Sequence, residues 1–332
     1  MKKIETISIV GDGGWGTTLA VHLARKNYPV TLWGPFPDYV QQVSCTRINI
    51  KFLPSIPIPP SVSITSNLTT AIQNGDLIVL AVPSQYLTDI LKKIKPIKSS
   101  KNIFLSVIKG IDDHTGLRMS QLIRKELGPV ALTVLSGPTI ASEVAKGIPT
   151  TAVVSSLDMR LAAVIQKIFN SSTFRIYTNP DIVGVELGGS LKNIIAIACG
   201  VCDGLGFGTN AKAAILTRGL VEIARLGVAM GAKAKTFAGL TGLGDLVTTC
   251  VNSQSRNRSV GEHLGKGKSI RQITSNMSMV AEGVETVKAA YHLSRKYKIP
   301  MPITTEVYNI IYKQKKPQLA VGDLMSREIK AE

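Results

Sequence analysis

The apolar positions change period near the middle of the chain. Ile4 to Val10, Val30 to Trp33, Leu77 to Val82, Asn102 to Val107, Val130 to Leu135 and Thr151 to Val154 are short runs rich in Val, Ile and Leu, several closing on Gly, Pro or Ser. Such runs predict strands. The unbroken Leu77-Ile78-Val79-Leu80-Ala81-Val82 predicts one buried on both faces. Helical spacing follows the first run at Leu19, Ala20, Leu23 and Ala24, and Pro54 to Pro60 predicts an irregular stretch. Strands alternating with helices imply a parallel sheet with helices on both sides, an α/β fold of the doubly wound Rossmann type.

After about Gly184 a period of 3.6 residues takes over, in Leu191 to Cys202, Asn210 to Met230, Thr236 to Ala238, Val260 to Leu264 and Val284 to Tyr297. This half predicts an all-helical domain. With the changeover at Asn179 to Gly189, the expected division is residues 1–186 and 187–332.

Gly11-Asp12-Gly13-Gly14-Trp15-Gly16 stands directly after the first strand and opens the first helix, matching G-x-G-x-x-G. The first glycine permits a tight turn, the second lets backbone approach a pyrophosphate, and the third allows close helix packing. The helix start adds N–H donors. An acid at the end of the second strand would hold the ribose of NAD, but that strand ends Leu32-Trp33-Gly34-Pro35. With no carboxylate there to repel a 2′-phosphate, NADP is admitted beside NAD and slightly favoured.

In the helical half, Gly188-Gly189-Ser190-Leu191-Lys192-Asn193 predicts a helix start with Ser190 as N-cap. Lys192 shares its face with Ile195, Ala196 and Cys199, so it is expected to be partly buried. Burial and the helix end would both lower its pKa. Further on, Gly239 to Leu246 sets three glycines against Asp245. Ser255-Arg256-Asn257-Arg258 precedes an amphipathic stretch and makes a phosphate grip.

Composition narrows the classes. The 332 residues are 44% hydrophobic with no low-complexity tract, which excludes disorder and fibres. No apolar run reaches the ~20 residues of a membrane span, and the opening Met1-Lys2-Lys3 is interrupted by Glu5 before any export core forms. A cytoplasmic protein without a membrane span is expected. Lys and Arg exceed Asp and Glu by 39 − 22 = +17, which favours anionic partners. No zinc-finger or aromatic-interleaved motif accompanies that charge, so no nucleic-acid partner is expected. Cys199 and Cys202 have CxxC spacing inside an apolar helix, with no second pair and no histidine nearby. They read as core; His22, His114, His263 and His292 read as surface or capping residues, and no metal site is expected.

Taken in order, Gly11 to Gly16 with Trp15, Val82-Pro83-Ser84, Ile108-Lys109-Gly110, Ser136-Gly137-Pro138, Leu187 to Asn193, Gly242 to Leu246, Ser255 to Arg258 and Ala281-Glu282-Gly283 resemble the bacterial-type NAD(P)-dependent sn-glycerol-3-phosphate dehydrogenases, from Ile7 to about Asp323. The resemblance implies reduction of dihydroxyacetone phosphate to sn-glycerol 3-phosphate, a feed for glycerophospholipid synthesis, in a homodimer. It implies Lys192 as general acid/base, with Lys109 and Asp245 beside it as catalytic residues. For the cofactor it implies Gly11, Gly13, Gly14, Trp15, Gly16, Lys109, Ala141, Arg256, Val280 and Glu282. For the substrate it implies Lys109, Gly137, Thr139, Lys192, Asp245, Ser255, Arg256 and Asn257. Asp12 departs from the alanine common in the family and adds a negative side chain near the pyrophosphate position. Pro35 removes the usual ribose-phosphate contact. Related two-domain dehydrogenases of hydroxy acids or sugar-acid phosphates are the nearest rivals.

Overall fold

The computed structural model describes residues 3–275, 277 and 280–329. Among the described residues ten strands precede Ile182: β1 Ile7–Val10, β2 Val30–Trp33, β3 Ile48–Asn49, β4 Leu53–Pro57, β5 Val62–Thr65, β6 Leu77–Leu80, β7 Ile103–Ser106, β8 Ala131–Ser136, β9 Thr150–Ser155 and β10 Phe174–Asn179. Eight form one sheet in the order β10-β9-β8-β7-β6-β1-β2-β5, and β3 and β4 form a small antiparallel hairpin. Every residue of β1, β6 and β7 is buried, so both faces of the central strands are covered. The chain leaves β1 on one side through β2 to β5 and returns on the other through β6. The carboxyl ends of β1 and β6 therefore form a topological switch point, where open α/β sheets bind ligands.

The sheet is parallel from β5 to β8 only. β9 runs antiparallel to β8, and β10 follows β9 in parallel, so the expected parallel sheet carries one reversal near its edge. The reason lies in the connection after β8. Its short helix Ala141–Ala145 is tied to helix Gly14–Arg25, with Thr18 Oγ1 donating to the Ala141 carbonyl (3.0 Å) and Arg25 Nη1 to the Ala145 carbonyl (2.7 Å). The chain doubles back rather than crossing over to a further parallel strand. The stretch expected to be irregular holds β4, and β5 was hidden because it is a short edge strand.

Among the described residues after Ile182 the regular elements are helices, with Ile182–Gly204, Thr209–Ala229, Asp245–Val251, Arg256–Gly265, Glu282–Lys296, Pro302–Tyr312 and Pro317–Met325 as the main members. The chain divides into two compact units, Met1–Ile108 with Met119–Ile182, and Lys109–Arg118 with Val183–Glu332. The change of period predicts a single cut after residue 186. Helix Ile182–Gly204 instead runs unbroken through that position, and Lys109–Arg118 joins the helical unit.

That helix is long and apolar enough to cross a membrane, which amends the expectation on length, yet 94% of its apolar window is buried. It is the core helix of its unit. A β-carbon on Gly200 would lie 1.9 Å from the Arg258 carbonyl oxygen, so helices Ile182–Gly204 and Arg256–Gly265 meet backbone to backbone. Cys199, Cys202 and Cys250 are buried free thiols, whereas Cys45 is exposed rather than core. His22 is also buried, its Nε2 2.7 Å from the Phe169 carbonyl, and not a surface residue.

Candidate functional site

The glycine turn begins where β1 ends. Gly11 has φ +123°, and a β-carbon there would sit 2.7 Å from the Ala81 carbonyl group just beyond β6, so only glycine fits this crossing. On Gly16 it would lie 1.9 Å from the Gly11 carbonyl oxygen. On Gly13, in contrast, it would meet nothing within 4 Å. Gly13 is the N-cap of helix Gly14–Arg25, which has no side-chain cap and no acid in its first turn. The result is an open cradle of backbone donors at a positive helix end, which fits a dinucleotide pyrophosphate. Asn49 Nδ2 (2.7 Å) and Thr17 Oγ1 (3.2 Å) both donate to the Asp12 carbonyl and fix the turn from behind.

The other expected contacts in this unit are mixed. Ala141 borders the cradle, its β-carbon 3.9 Å from where one on Gly14 would stand. Gly137 has φ +139°, and Thr139 Oγ1 donates to its carbonyl (3.1 Å). Trp15 turns its ring edge-on to Phe174, with centroids 6.3 Å apart, and packs against the apolar core.

In the second unit three charged side chains converge. Lys109 Nζ lies 2.9 Å from one oxygen of Asp245, and Lys192 donates to the other. Asp245 is 1% exposed and Lys192 5%, so this is a buried ion cluster with one positive charge in excess. Lys192 Nζ also donates to Thr249 Oγ1 (2.6 Å), whose hydroxyl donates back to the Asp245 carbonyl (2.7 Å). Burial pushes the Lys192 ammonium down from its ordinary value to about 8; the Lys109 ammonium adds to the lowering, and Asp245 pulls the other way.

The helix-end contribution to that lowering, expected from the sequence, is absent. The helix starts at Ile182, not at Ser190, so Lys192 is far from its positive end. Ser190 is no N-cap: its hydroxyl engages the carbonyls of Glu186 (2.8 Å) and Gly110 (3.0 Å). Asn193 Nδ2 donates to the Lys109 carbonyl (3.3 Å), and Arg118 pairs with Glu186. The segment carrying Lys109 is therefore held along the lysine helix by side chains of that same helix. Asp245 reaches the cluster through a π turn, Leu240–Gly244, which leads into its helix. Gly188 makes room for this turn, since a β-carbon there would lie 2.4 Å from the Thr241 carbonyl oxygen.

A second group is assembled at helix Arg256–Gly265. Ser255 is its N-cap and accepts from the Arg258 N–H (3.3 Å). Arg256 Nη1 donates to the Val280 carbonyl (2.8 Å), and Asn257 Oδ1 accepts from the Gly283 N–H (3.0 Å), next to Glu282. Gly283 ties both groups together, because a β-carbon on it would stand 2.8 Å from Asn257 Oδ1 and 2.9 Å from the Asn193 carbonyl oxygen. Arg256 is exposed, whereas Arg258 is half-buried and turned to Asp203 (2.7 Å).

The structure thus gathers Lys109, Lys192 and Asp245, and beside them Ser255, Arg256, Asn257, Val280 and Glu282. The sequence gives no role to Thr249 or Asn193, and it gives Ser190 a cap in place of its hold on the Lys109 segment. Thr249 is one helical turn beyond Asp245, a spacing that points to it; Ser190 and Asn193 hold Gly110 and Lys109, 80 and 84 positions away, which no local pattern reveals.

Residues 6–162 match the family model for the NAD-dependent glycerol-3-phosphate dehydrogenase N-terminus and residues 181–322 the model for its C-terminus. The glycerol-3-phosphate dehydrogenase (NAD(P)+) of Thermoanaerobacter sp. is 47% identical over 326 residues, 98% of each chain. That of Chlorobium phaeobacteroides is 46% identical over 329 residues, again 98% of each. The crystal structure of a glycerol-3-phosphate dehydrogenase from Coxiella burnetii superposes with a TM-score of 0.94 at 37% identity, covering 97% of this chain and 99% of that one.

Proposed function

The chain belongs to the NAD-dependent glycerol-3-phosphate dehydrogenase family, and from that premise we propose that Lys192 exchanges the proton as dihydroxyacetone phosphate and sn-glycerol 3-phosphate interconvert. It is an NAD(P)-dependent oxidoreductase. The observation that carries the proposal is a buried lysine whose pKa is pushed to about 8, held by a carboxylate shared with a second lysine. An acid poised near the working pH is the efficient one, and groups of this kind contribute ~10² to 10⁴ in rate.

Bound at the glycine cradle, the nicotinamide dinucleotide supplies the hydride. Lys192 meets the negative charge that develops on the C2 oxygen and then gives that oxygen its proton. Asp245 orients the donating ammonium. Lys109 adds positive charge and, by repelling Lys192, keeps its proton easier to release. The excess positive charge of the cluster attracts the dianionic substrate. Arg256 and Asn257, with Ser255 fixing the helix start, clasp the phosphate and so align C2 with the acid. Gly137 and Thr139 remain assigned to the substrate, and Ala141, Val280 and Glu282 to the cofactor. Supply of glycerol 3-phosphate to phospholipid synthesis and the homodimer are carried by the resemblance, and the cytoplasmic location by the interrupted apolar stretch at the start of the sequence.

The experiment compares oxidation of sn-glycerol 3-phosphate, 6-phosphogluconate and 3-hydroxyisobutyrate with either cofactor. Turnover confined to glycerol 3-phosphate is expected. Preference for either of the others would overturn the reading.

A further inference from the structure

One carboxylate in the glycine turn has no assigned task. Asp12 is 7% exposed, and its Oδ2 is shielded from solvent with no hydrogen-bond partner. A buried carboxylate oxygen left in this state is costly and marks a position where a donor is missing. The side chain is not adrift, because Asn49 and Thr17 hold the Asp12 carbonyl and thereby set the direction of its Cα–Cβ bond.

That direction leads to the end of β2. Residues Val10 and Trp33 are paired across β1 and β2, so Asp12 and Gly34 both lie just past the carboxyl ends of adjacent parallel strands. A β-carbon built on Gly34 would stand 2.2 Å from Asp12 Oδ2 and 2.5 Å from its Cγ. The carboxyl group of Asp12 therefore occupies the volume where a side chain of residue 34 would begin. In Rossmann folds that position, at the end of the second strand and about 20 residues past the glycine turn, carries the acid that binds the adenosine ribose of NAD. Here glycine stands there, and a carboxylate reaches the same place from the neighbouring strand.

We propose that Asp12 is the specificity residue of the cofactor site: its carboxylate accepts a hydrogen bond from the 2′-hydroxyl of the adenosine ribose and repels a 2′-phosphate, so the chain selects NAD(H) over NADP(H). This reverses the preference suggested by the missing acid after β2. Burial pushes the Asp12 carboxyl up to about 6, against its own backbone N–H and the charge of Lys51, so near pH 7 it is a desolvated carboxylate to which a hydroxyl donor is welcome. Gly34 is part of the device, since any side chain there would displace the carboxylate.

The inference rests on the reading of Gly11–Gly16 as the dinucleotide site, and its test keeps the two apart by using fragments without a nicotinamide. Calorimetric titration of the protein with ADP-ribose and with 2′-phospho-ADP-ribose gives a ratio of dissociation constants free of any turnover. ADP-ribose should bind at least about tenfold more tightly, the scale of one hydrogen bond to a charged group. Asp12→Ala and the near-isosteric Asp12→Asn should each shrink that ratio about tenfold by improving the phosphorylated fragment. Equal binding of both fragments by the unaltered protein, or an unchanged ratio in a folded variant, would overturn the assignment of Asp12. Failure of both fragments to bind the unaltered protein would overturn the site itself.

Discussion

At the Gly11–Gly16 turn, positive potential comes from backbone N–H groups at a helix start with no basic side chain among them; around Asp245 it comes from two ammonium groups, one of them buried. Peptide dipoles are already part of the fold, and a cradle built from several of them loses strength gradually when one is disturbed. Formal charges in a buried cluster depend on one another, because removing one leaves the rest uncompensated. The turn is therefore tuned by shape and the cluster by balance of charge. Holding a cofactor pyrophosphate suits the first, whereas moving a proton suits the second.

Substitutions should separate the two designs. Asp245→Ala carries the largest expected effect: it leaves two ammonium groups together without their carboxylate, which should destabilise the folded protein by about 3–5 kcal/mol and abolish measurable turnover. Thermal unfolding and kcat read the two parts, and a stable, active variant would break the picture of an interdependent cluster. Arg256→Ala should raise KM for dihydroxyacetone phosphate roughly 10- to 100-fold with little change in kcat if, as proposed, it holds the phosphate, which is remote from the reacting carbon. At the turn, Gly13→Ala should leave Tm unchanged, because its β-carbon enters open space, and weaken dinucleotide binding about tenfold by obstructing the approach. Gly16→Ala should instead lower Tm, because its β-carbon meets the Gly11 carbonyl and the turn must shift to admit it.

The smallest effect is a shift of pH profile. Ketone reduction needs the protonated lysine, so its rate should fall above about pH 8, while alcohol oxidation needs the neutral amine and should rise toward the same value. Because Lys109 lowers the Lys192 value, Lys109→Met should move both limbs to higher pH, whatever it does to the maximal rate. Limbs that stay in place would mean that the two lysines do not sense each other.

What was legible in the sequence follows the same division. The turn is contiguous and its glycines stand as one motif, although the backbone that crosses Gly11 comes from Ala81, and six of the eight sheet strands stand out as apolar runs. The reversal at β9 was not legible, since it depends on how helix Ala141–Ala145 binds helix Gly14–Arg25. Gly188-Gly189 looked like a helix boundary, yet Gly188 lies within a continuous helix because another backbone passes against it. Lys192 was marked by its apolar face. Its partners were not, because Lys109 and Asp245 are 136 positions apart in the chain and meet only through the fold; there the family resemblance supplied what periodicity could not.

Delivery of the proton by Lys192 is tested by kcat for dihydroxyacetone phosphate reduction in Lys192→Ala, taken beside calorimetric binding of the dinucleotide. The account predicts a fall of ~10² to 10⁴ in kcat with the dissociation constant of the cofactor little altered. Turnover within a few-fold of the unaltered enzyme would contradict it.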